Sequence, residues 1–182
     1  GPEGSPIAGC WQAALAASRR GAGGYADWGP LMRPINRIFL HCSDSAFGDS
    51  EIIESWHRDR FTAGPSSGRH TGYHYIVLNG RRRTANDFVA ADDGVVEAGR
   101  PVYEKGAHVA GANADSIGVC LIGKAGLYTV AQMRAAVHLV RSLIQVHELS
   151  WSSVFGHYQQ PGSGKTCPDF QIDHFRSLLR GA

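Results

Sequence analysis

No apolar run in the chain approaches the roughly 18 residues that a membrane-spanning helix requires, so no membrane span is expected. Nor is there an excess of charge of one sign: 18 Lys and Arg stand against 16 Asp and Glu, a formal net charge of +2. A protein that binds nucleic acid by neutralising many phosphates needs a basic surplus, so nucleic acid is not expected as a partner. Such a mildly basic surface is still compatible with an anionic polymer as partner. Cysteines are few, at positions 10, 42, 120 and 167, and have no paired spacing. If Cys167 serves a metal an odd number remains, so a disulfide framework is not expected and synthesis in a reducing compartment is. Two signatures of hydrolytic chemistry are also missing: a carboxylate pair for glycoside cleavage, and a serine or cysteine nucleophile with a partner base.

What is present is 182 residues, 43% of them hydrophobic, which suits one soluble domain with a sizeable buried core. The first 34 residues differ from the rest. Gly1-Pro2-Glu3-Gly4-Ser5 has the form of a protease-cleavage scar, and Trp11 to Ser18 is Ala-rich enough for a short helix that Gly21-Ala22-Gly23-Gly24 would break. Ala14-Leu15-Ala16 has the small-x-small form of a signal cleavage site. It lacks the basic region and apolar run that precede one, so no signal peptide is expected. Residues 1–34 are therefore set apart from a domain spanning 35–182.

From Ile35 the pattern becomes regular. Ile35 to Cys42, with Ile38, Leu40 and Cys42 on one face, reads as a buried strand ending at His41. Ile52, Ile53, Trp56 and Phe61 fall near helical spacing and predict an amphipathic helix. Tyr73 to Leu78 is a strand stopped by the turn dipeptide Asn79-Gly80. Residues 81 to 94 predict a solvated hairpin excursion, its Arg81-Arg82-Arg83 triplet a surface feature, before a strand at Val95-Val96-Glu97. Ser116 to Gly123 is apolar on both faces, as a central strand covered by helices should be. Thr129-Val130-Ala131-Gln132 has capping-box form, and Val130, Met133, Val137, Val140 and Ile144 predict the stripe by which a long helix faces the sheet. Asp169 can cap a last helix with Ile172, Phe175 and Leu179 on its apolar side and Gly181 as its stop. The order of elements predicts a single α/β domain with a central mixed β-sheet flanked by helices.

Chemistry concentrates in Gly156-His157-Tyr158-Gln159-Gln160-Pro161-Gly162-Ser163-Gly164-Lys165-Thr166-Cys167-Pro168. An imidazole and a thiol sit ten residues apart across a Gly/Pro loop, with a lysine just before the thiol. Upstream, His41 closes an apolar run. Two histidines and a cysteine give Zn²⁺ three protein ligands and leave a fourth position for water, the arrangement of a catalytic zinc.

Three literal matches carry no weight. Gly64-Pro65-Ser66-Ser67-Gly68 fits G-x-S-x-G but lacks the strand and helix that flank a nucleophile elbow. Gly164-Lys165-Thr166 resembles the end of a phosphate-binding loop, yet Gln159 occupies its first glycine position. His70 and His74 have zincin spacing, but Thr71 replaces the glutamate and Gly72 interrupts any helix. His57, His138, His147 and His174 lie on predicted helices without partners and are read as structural or surface residues. His74 alternates away from Tyr73 and is read as a satisfied buried histidine.

Ile38 to Ser43, Gly72 to Ile76, Val96 to Arg100, Gly106-Ala107-His108 with Asn113 to Cys120, and the His157 to Pro168 loop resemble, in order, the motifs of the type-2 N-acetylmuramoyl-L-alanine amidases. The resemblance covers about residues 35 to 180. A cysteine as last ligand is similar to the short phage amidases (endolysins) and to the animal peptidoglycan recognition proteins of the same superfamily. The resemblance implies the type-2 amidase fold, zinc held by His41, His157 and Cys167, and Tyr73 and Lys165 as catalytic residues. It implies cleavage of the amide joining the lactyl group of N-acetylmuramic acid to L-alanine in peptidoglycan, for phage-type lysis. His108 would contact substrate or orient the site, or else be a hydrogen-bonded structural histidine, while Glu97 is read as a surface carboxylate of the hairpin. The expected protein is a monomer, made in a bacterial cytoplasm and acting on the wall. A noncatalytic peptidoglycan-binding protein on the same fold is the alternative, against which Cys167 speaks because recognition-only members commonly lose that ligand. The His157 to Cys167 loop is slightly longer than in the shortest phage members, and the Asn79 to Gly94 excursion has the character of an insertion.

Overall fold

The computed structural model describes residues 33–125 and 127–181; the scar, the Ala-rich segment and the Gly-rich run predicted near the amino terminus lie outside the described residues. One mixed sheet has the order β3-β2-β4-β1-β5, made of β1 (Arg37–Cys42), β2 (Tyr75–Asn79), β3 (Asp93–Ala98), β4 (Ser116–Leu121) and β5 (Val154–Gly156). β3 runs antiparallel to β2, and the other pairings are parallel. Helices α1 (Ser50–His57), α2 (Val130–Val146) and α3 (Ile172–Arg180) flank the sheet, giving the α/β domain expected from the sequence.

β4 is the middle strand, and all six of its residues are buried, which is why its sequence does not alternate. On β1 the alternation sorts two environments. Ile38 and Leu40 join Val77, Ile117, Val119 and Leu121 in the core under α2 and α3, while Phe39 packs with Val109 and Ala112 on the other face. His41 is two residues beyond Phe39 and shares that second face, where α1 presses Ile53 against Ile76, Leu78 and Ile122. Each such side chain contributes about 1.5–3 kcal/mol on full burial.

The capping box on α2 is formed: Thr129 Oγ1 accepts from the Gln132 amide at 2.9 Å, and the Gln132 side chain accepts from the Thr129 amide at 3.4 Å. Removing such a cap costs about 1 kcal/mol. The face that α2 turns inward differs from the predicted stripe. Gln132, Ala136, Leu139, Val140 and Leu143 are buried, whereas Val130 is 69% exposed. The cause is Gln132, whose amide nitrogen donates to the carbonyls of Val77 at 2.9 Å and Ile122 at 2.7 Å, so a polar residue centres the buried face. α1 is also shorter than the spacing suggested. It stops at His57, and Phe61 packs back edge-on against the His57 ring at 4.8 Å from outside the helix.

α3 buries Ile172, Phe175 and Leu179 and ends at Gly181, as the pattern predicts. Its cap is not Asp169. Gln171 occupies the cap position without a side-chain bond, and the Ile172 amide donates instead to the Tyr158 hydroxyl at 3.2 Å. Asp169 accepts from the Cys42 thiol at 3.5 Å and from the Ala125 amide at 3.4 Å. The arginine triplet is likewise more than a solvated surface. Arg82 pairs with Glu97 at 2.5 Å and Asp92 at 2.9 Å, and Arg83 pairs with Asp49 at 3.2 Å and Glu51 at 2.7 Å, which fastens the 80–92 excursion to the start of α1. Glu97 is fully engaged there, since it also accepts from the Ser50 amide at 2.8 Å.

The loop before β2 hangs on Glu104, which is 4% exposed. Its carboxylate accepts from the amides of Ser66 and Ser67 at 2.8 and 2.7 Å and from the Ser67 hydroxyl at 2.7 Å, so the literal G-x-S-x-G is a carboxylate cradle. Gly64 is required here because a Cβ would stand 1.8 Å from a Glu104 oxygen. Burial opposes the charge on Glu104, but these hydrogen bonds and Arg100 outweigh it and hold the carboxyl below its ordinary 4.5. A depressed folded pKa stabilises above the unfolded value and loses that contribution as pH falls through the folded value. Thermal unfolding of Glu104→Gln should therefore start from a lower Tm at neutral pH and fall less steeply below about pH 4.5 than wild type; parallel acid limbs would exclude this role.

Candidate active site

β1 and β5 run parallel with Leu40 opposite Gly156, so the residue that follows each of these, His41 and His157, emerges side by side at the same end of the sheet. Cavities beyond the carboxyl ends of parallel strands are where α/β sheets place ligands. The loop after His157 folds back on itself through the Tyr158 amide, which donates to the Cys167 carbonyl at 3.2 Å, and this returns the Cys167 sulfur to the two rings. His41 Nδ1 lies 3.1 Å from His157 Nδ1, and Cys167 Sγ lies 3.4 Å from His157 Nδ1 and 3.9 Å from His41 Nδ1. Among the described residues this is the only group of three or more His, Cys, Asp or Glu side chains with the spacing to hold a metal ion.

The protonation states suit ligation. Burial, then the neighbouring His157, push His41 well below its ordinary 6.5, and burial with the Lys165 charge lowers His157. Both rings are thus neutral at neutral pH. The Cys167 thiol is pulled below its ordinary value chiefly by its contact with the Cys42 thiol, against the effect of burial. Neutral imidazoles and a thiolate-prone sulfur are the forms that bind metal.

The other predicted residues gather around this group. The Tyr73 ring centroid is 5.1 Å from that of His41 and 5.3 Å from that of His57. Burial, with the thiols of Cys120, Cys167 and Cys42, holds its hydroxyl well above the usual range, so it keeps its proton and remains a donor. Lys165 lines a groove of about 390 Å³ together with Phe61, His108, His157 and Gln160. His108 stands on the groove wall but is only 7% exposed, and both of its ring nitrogens have protein partners: His41 Nε2 at 3.0 Å from Nδ1, and Ser116 Oγ at 3.4 Å from Nε2. Asn113 Oδ1 accepts from the His108 and Val109 amides at 2.8 and 2.9 Å and fixes the backbone there.

The remaining histidines lie apart from the three donors. His57 accepts from the Gly72 amide at 3.0 Å, and His74 accepts from the Gly118 amide at 2.9 Å while its Nε2 meets the Glu104 carbonyl at 3.0 Å, which is the satisfied buried histidine expected. His138 and His174 are exposed on α2 and α3, and His147 caps α2. Sequence reasoning passed over Ser116, Cys42 and Cys120. For Asn113 a signal existed, since an asparagine in a glycine-rich turn favours side-chain capping of nearby amides.

A family model of N-acetylmuramoyl-L-alanine amidases matches residues 31–170, which include all three donors, Tyr73 and Lys165. The chain belongs to this family. The amidase is 31% identical over 147 residues to an endolysin of Klebsiella phage KP32, covering 75% of this chain and 82% of that protein. Among solved structures it resembles the N-acetylmuramoyl-L-alanine amidase LysC of Clostridium intestinale URNW, with a TM-score of 0.64 at 21% identity over 83% of this chain and 88% of that one. It also resembles the ectodomain complex of peptidoglycan recognition proteins LCa and LCx bound to tracheal cytotoxin, with a TM-score of 0.52 at 25% identity over 75% and 76% of the two chains. Among the described residues of the amidase, no helix is long and apolar enough to cross a membrane.

The donor set can be read out directly. Co²⁺ added to metal-free amidase should give thiolate-to-cobalt charge-transfer absorption that Cys167→Ser abolishes. Absence of that absorption in the wild type, or its persistence in the variant, would remove Cys167 from the ligand set.

Proposed function

We propose that the amidase is zinc-dependent and hydrolyses the bond between the lactyl carbonyl of N-acetylmuramic acid and L-alanine, in phage-type lysis of the bacterial wall. The observation that carries this reading is the meeting of His41, His157 and Cys167, with the Tyr73 ring packed on His41, at a groove that also presents Lys165. The donors fit the ion. Zn–N bonds of about 2.0–2.1 Å and Zn–S bonds of about 2.3 Å at tetrahedral angles separate ligand atoms by roughly 3.3–3.6 Å. The separations of 3.1, 3.4 and 3.9 Å bracket that range.

Zinc bound there supplies a Lewis acid and brings the pKa of a water toward neutrality. Every other contribution comes from the chain. The groove, at about 390 Å³, is of ligand-cleft size and holds the muramoyl peptide with its amide over the donors. Tyr73 donates to the carbonyl oxygen as negative charge develops on it, and its raised pKa keeps the donated proton in place. Lys165 adds a cation on the groove wall. His108 offers the groove only the carbon edge of its ring, so its contact with substrate is apolar. The protein works as a monomer, its working domain is residues 35–182, and its site of action is the cell wall; of the segment before 35, Arg33 is fastened to that domain by donating to the carbonyls of Val102 at 2.8 Å and Ser116 at 2.7 Å.

Tyr73→Phe and Lys165→Ala remove donors without removing a ligand. Each should keep its metal content and fold while losing turnover by roughly 10²-fold or more. Unchanged turnover would take that residue out of the mechanism. For the reaction itself, purified peptidoglycan digested by the zinc-loaded protein should release stem peptides with a new free amino group on L-alanine, leave glycan strands intact and yield no new reducing ends. New reducing ends on mass spectrometry would mean glycosidase chemistry, and co-sedimentation with the wall without soluble product would favour the binding-protein reading.

A further inference from the structure

Behind His41 lies a buried chain of hydrogen bonds whose direction is determined at its far end. Ser116, fully buried at the start of β4, places its Oγ 2.6 Å from the Ala112 carbonyl and 3.4 Å from His108 Nε2. A carbonyl can only accept, so the single hydroxyl proton of Ser116 goes to Ala112. The Ser116 oxygen is then an acceptor, and His108 Nε2 must carry the hydrogen that meets it. A neutral imidazole with hydrogen on Nε2 has a lone pair on Nδ1. His108 Nδ1 lies 3.0 Å from His41 Nε2, which must therefore carry a hydrogen of its own. By the same rule His41 Nδ1 is left with a lone pair, aimed at His157 Nδ1 and Cys167.

No neighbouring histidine upsets this order. The His74 ring is 5.6 Å from that of His108, but its Nδ1 takes the Gly118 amide proton, so its Nε2 carries the hydrogen that meets the Glu104 carbonyl, with Arg33 Nη2 also 3.0 Å away, and its own tautomer is settled by the backbone. The His108 ring is also held in place sterically. A Cβ on Gly118 would come within 2.6 Å of the ring and a Cβ on Gly106 within 2.5 Å, so both positions leave room for the imidazole and no more.

We propose that Ser116 and His108 are positioning residues that set the tautomer of His41, so that Nδ1 is presented as an electron-pair donor before any metal arrives. This rests on the zinc reading for its purpose, but the tautomer order holds or fails independently of it. Without Ser116 the buried Nε2–H of His108 has no acceptor. The His108 ring can then reverse its tautomer, which moves the His41 hydrogen to Nδ1, where it blocks ligation.

The test is nitrogen-15 NMR of histidine-labelled, metal-free protein at neutral pH, paired with Zn²⁺ titration against a competing chelator. In the wild type, His41 and His108 should both show protonated Nε2 and unprotonated Nδ1. Ser116→Ala should mix or reverse these tautomers and weaken Zn²⁺ binding by about tenfold or more, with the fold retained by circular dichroism. His108→Asn keeps an acceptor near the Nδ1 position and should bind Zn²⁺ more tightly than His108→Leu, which has none. Hydrogen on Nδ1 of wild-type His41, or unchanged tautomers in Ser116→Ala, would overturn the proposal. Equal zinc affinity of the two His108 variants would overturn it too. A wild type with the expected tautomers but no affinity for Zn²⁺ would leave the relay standing and sink the zinc reading instead.

Discussion

The parallel pairing of β1 with β5 is the constraint on which the site depends. Ile38, Phe39 and Leu40 face Val154, Phe155 and Gly156, and that register alone makes residues 41 and 157 neighbours although more than a hundred positions separate them in the chain. A slip of one residue would turn His41 to the opposite face, into the core beneath α2 and α3. Burial of Ile38 and Leu40 on that face and of Phe39 on the other resists the slip. The force that positions the donors is therefore hydrophobic packing several residues away from them. β4 contributes by pairing with β1 on its other side, with Cys120 opposite His41. This keeps the carboxyl end of β1 from fraying.

The same packing governs the chemistry. A dry environment disfavours charge on an imidazole and on a phenol alike, so burial is what chiefly lowers His41 and raises Tyr73. One effect prepares two functions: the rings stay neutral and able to ligate, and the hydroxyl stays protonated and able to donate. Lys165 sits on the groove loop, away from the packed core, and its charge reaches His157 without being buried with it. His41 thus comes from the rigid sheet, while Cys167 and Lys165 come from the loop.

Much of this was legible in the sequence because the relevant signals are local. The unalternating run at Ser116 to Gly123, the capping box at Thr129 and Gln132, and the His157 to Cys167 loop each declare themselves within a dozen residues or so. What escaped depends on contacts between distant segments. The buried face of α2 could not be read from apolar spacing, because Gln132 at its centre is soluble by type and buried only through carbonyls that β2 and the end of β4 supply. Arg82 and Arg83 became structural through Asp49, Glu51 and Glu97, on a helix and a strand that composition did not place beside them. Asp169 had the residue type of a cap, yet the amide that needed capping found the Tyr158 hydroxyl first.

Gly118 shows how far such long-range demands reach into a single residue choice. A glycine in the middle of a strand costs about 0.5–1 kcal/mol relative to alanine, and β4 is the strand with the greatest need for order. The space it leaves is filled by the His108 imidazole, whose Cγ, Cδ2 and Nδ1 would all lie within 2.8 Å of a Cβ at that position. The Gly118 amide is meanwhile bonded to His74, whose ring packs edge-on against that of His108. One residue without a side chain therefore admits one histidine and orients another. The local loss of strand stability is the condition for packing a third imidazole, His41, edge-on against His108 at 5.0 Å with Nε2 toward His108 and Nδ1 toward His157.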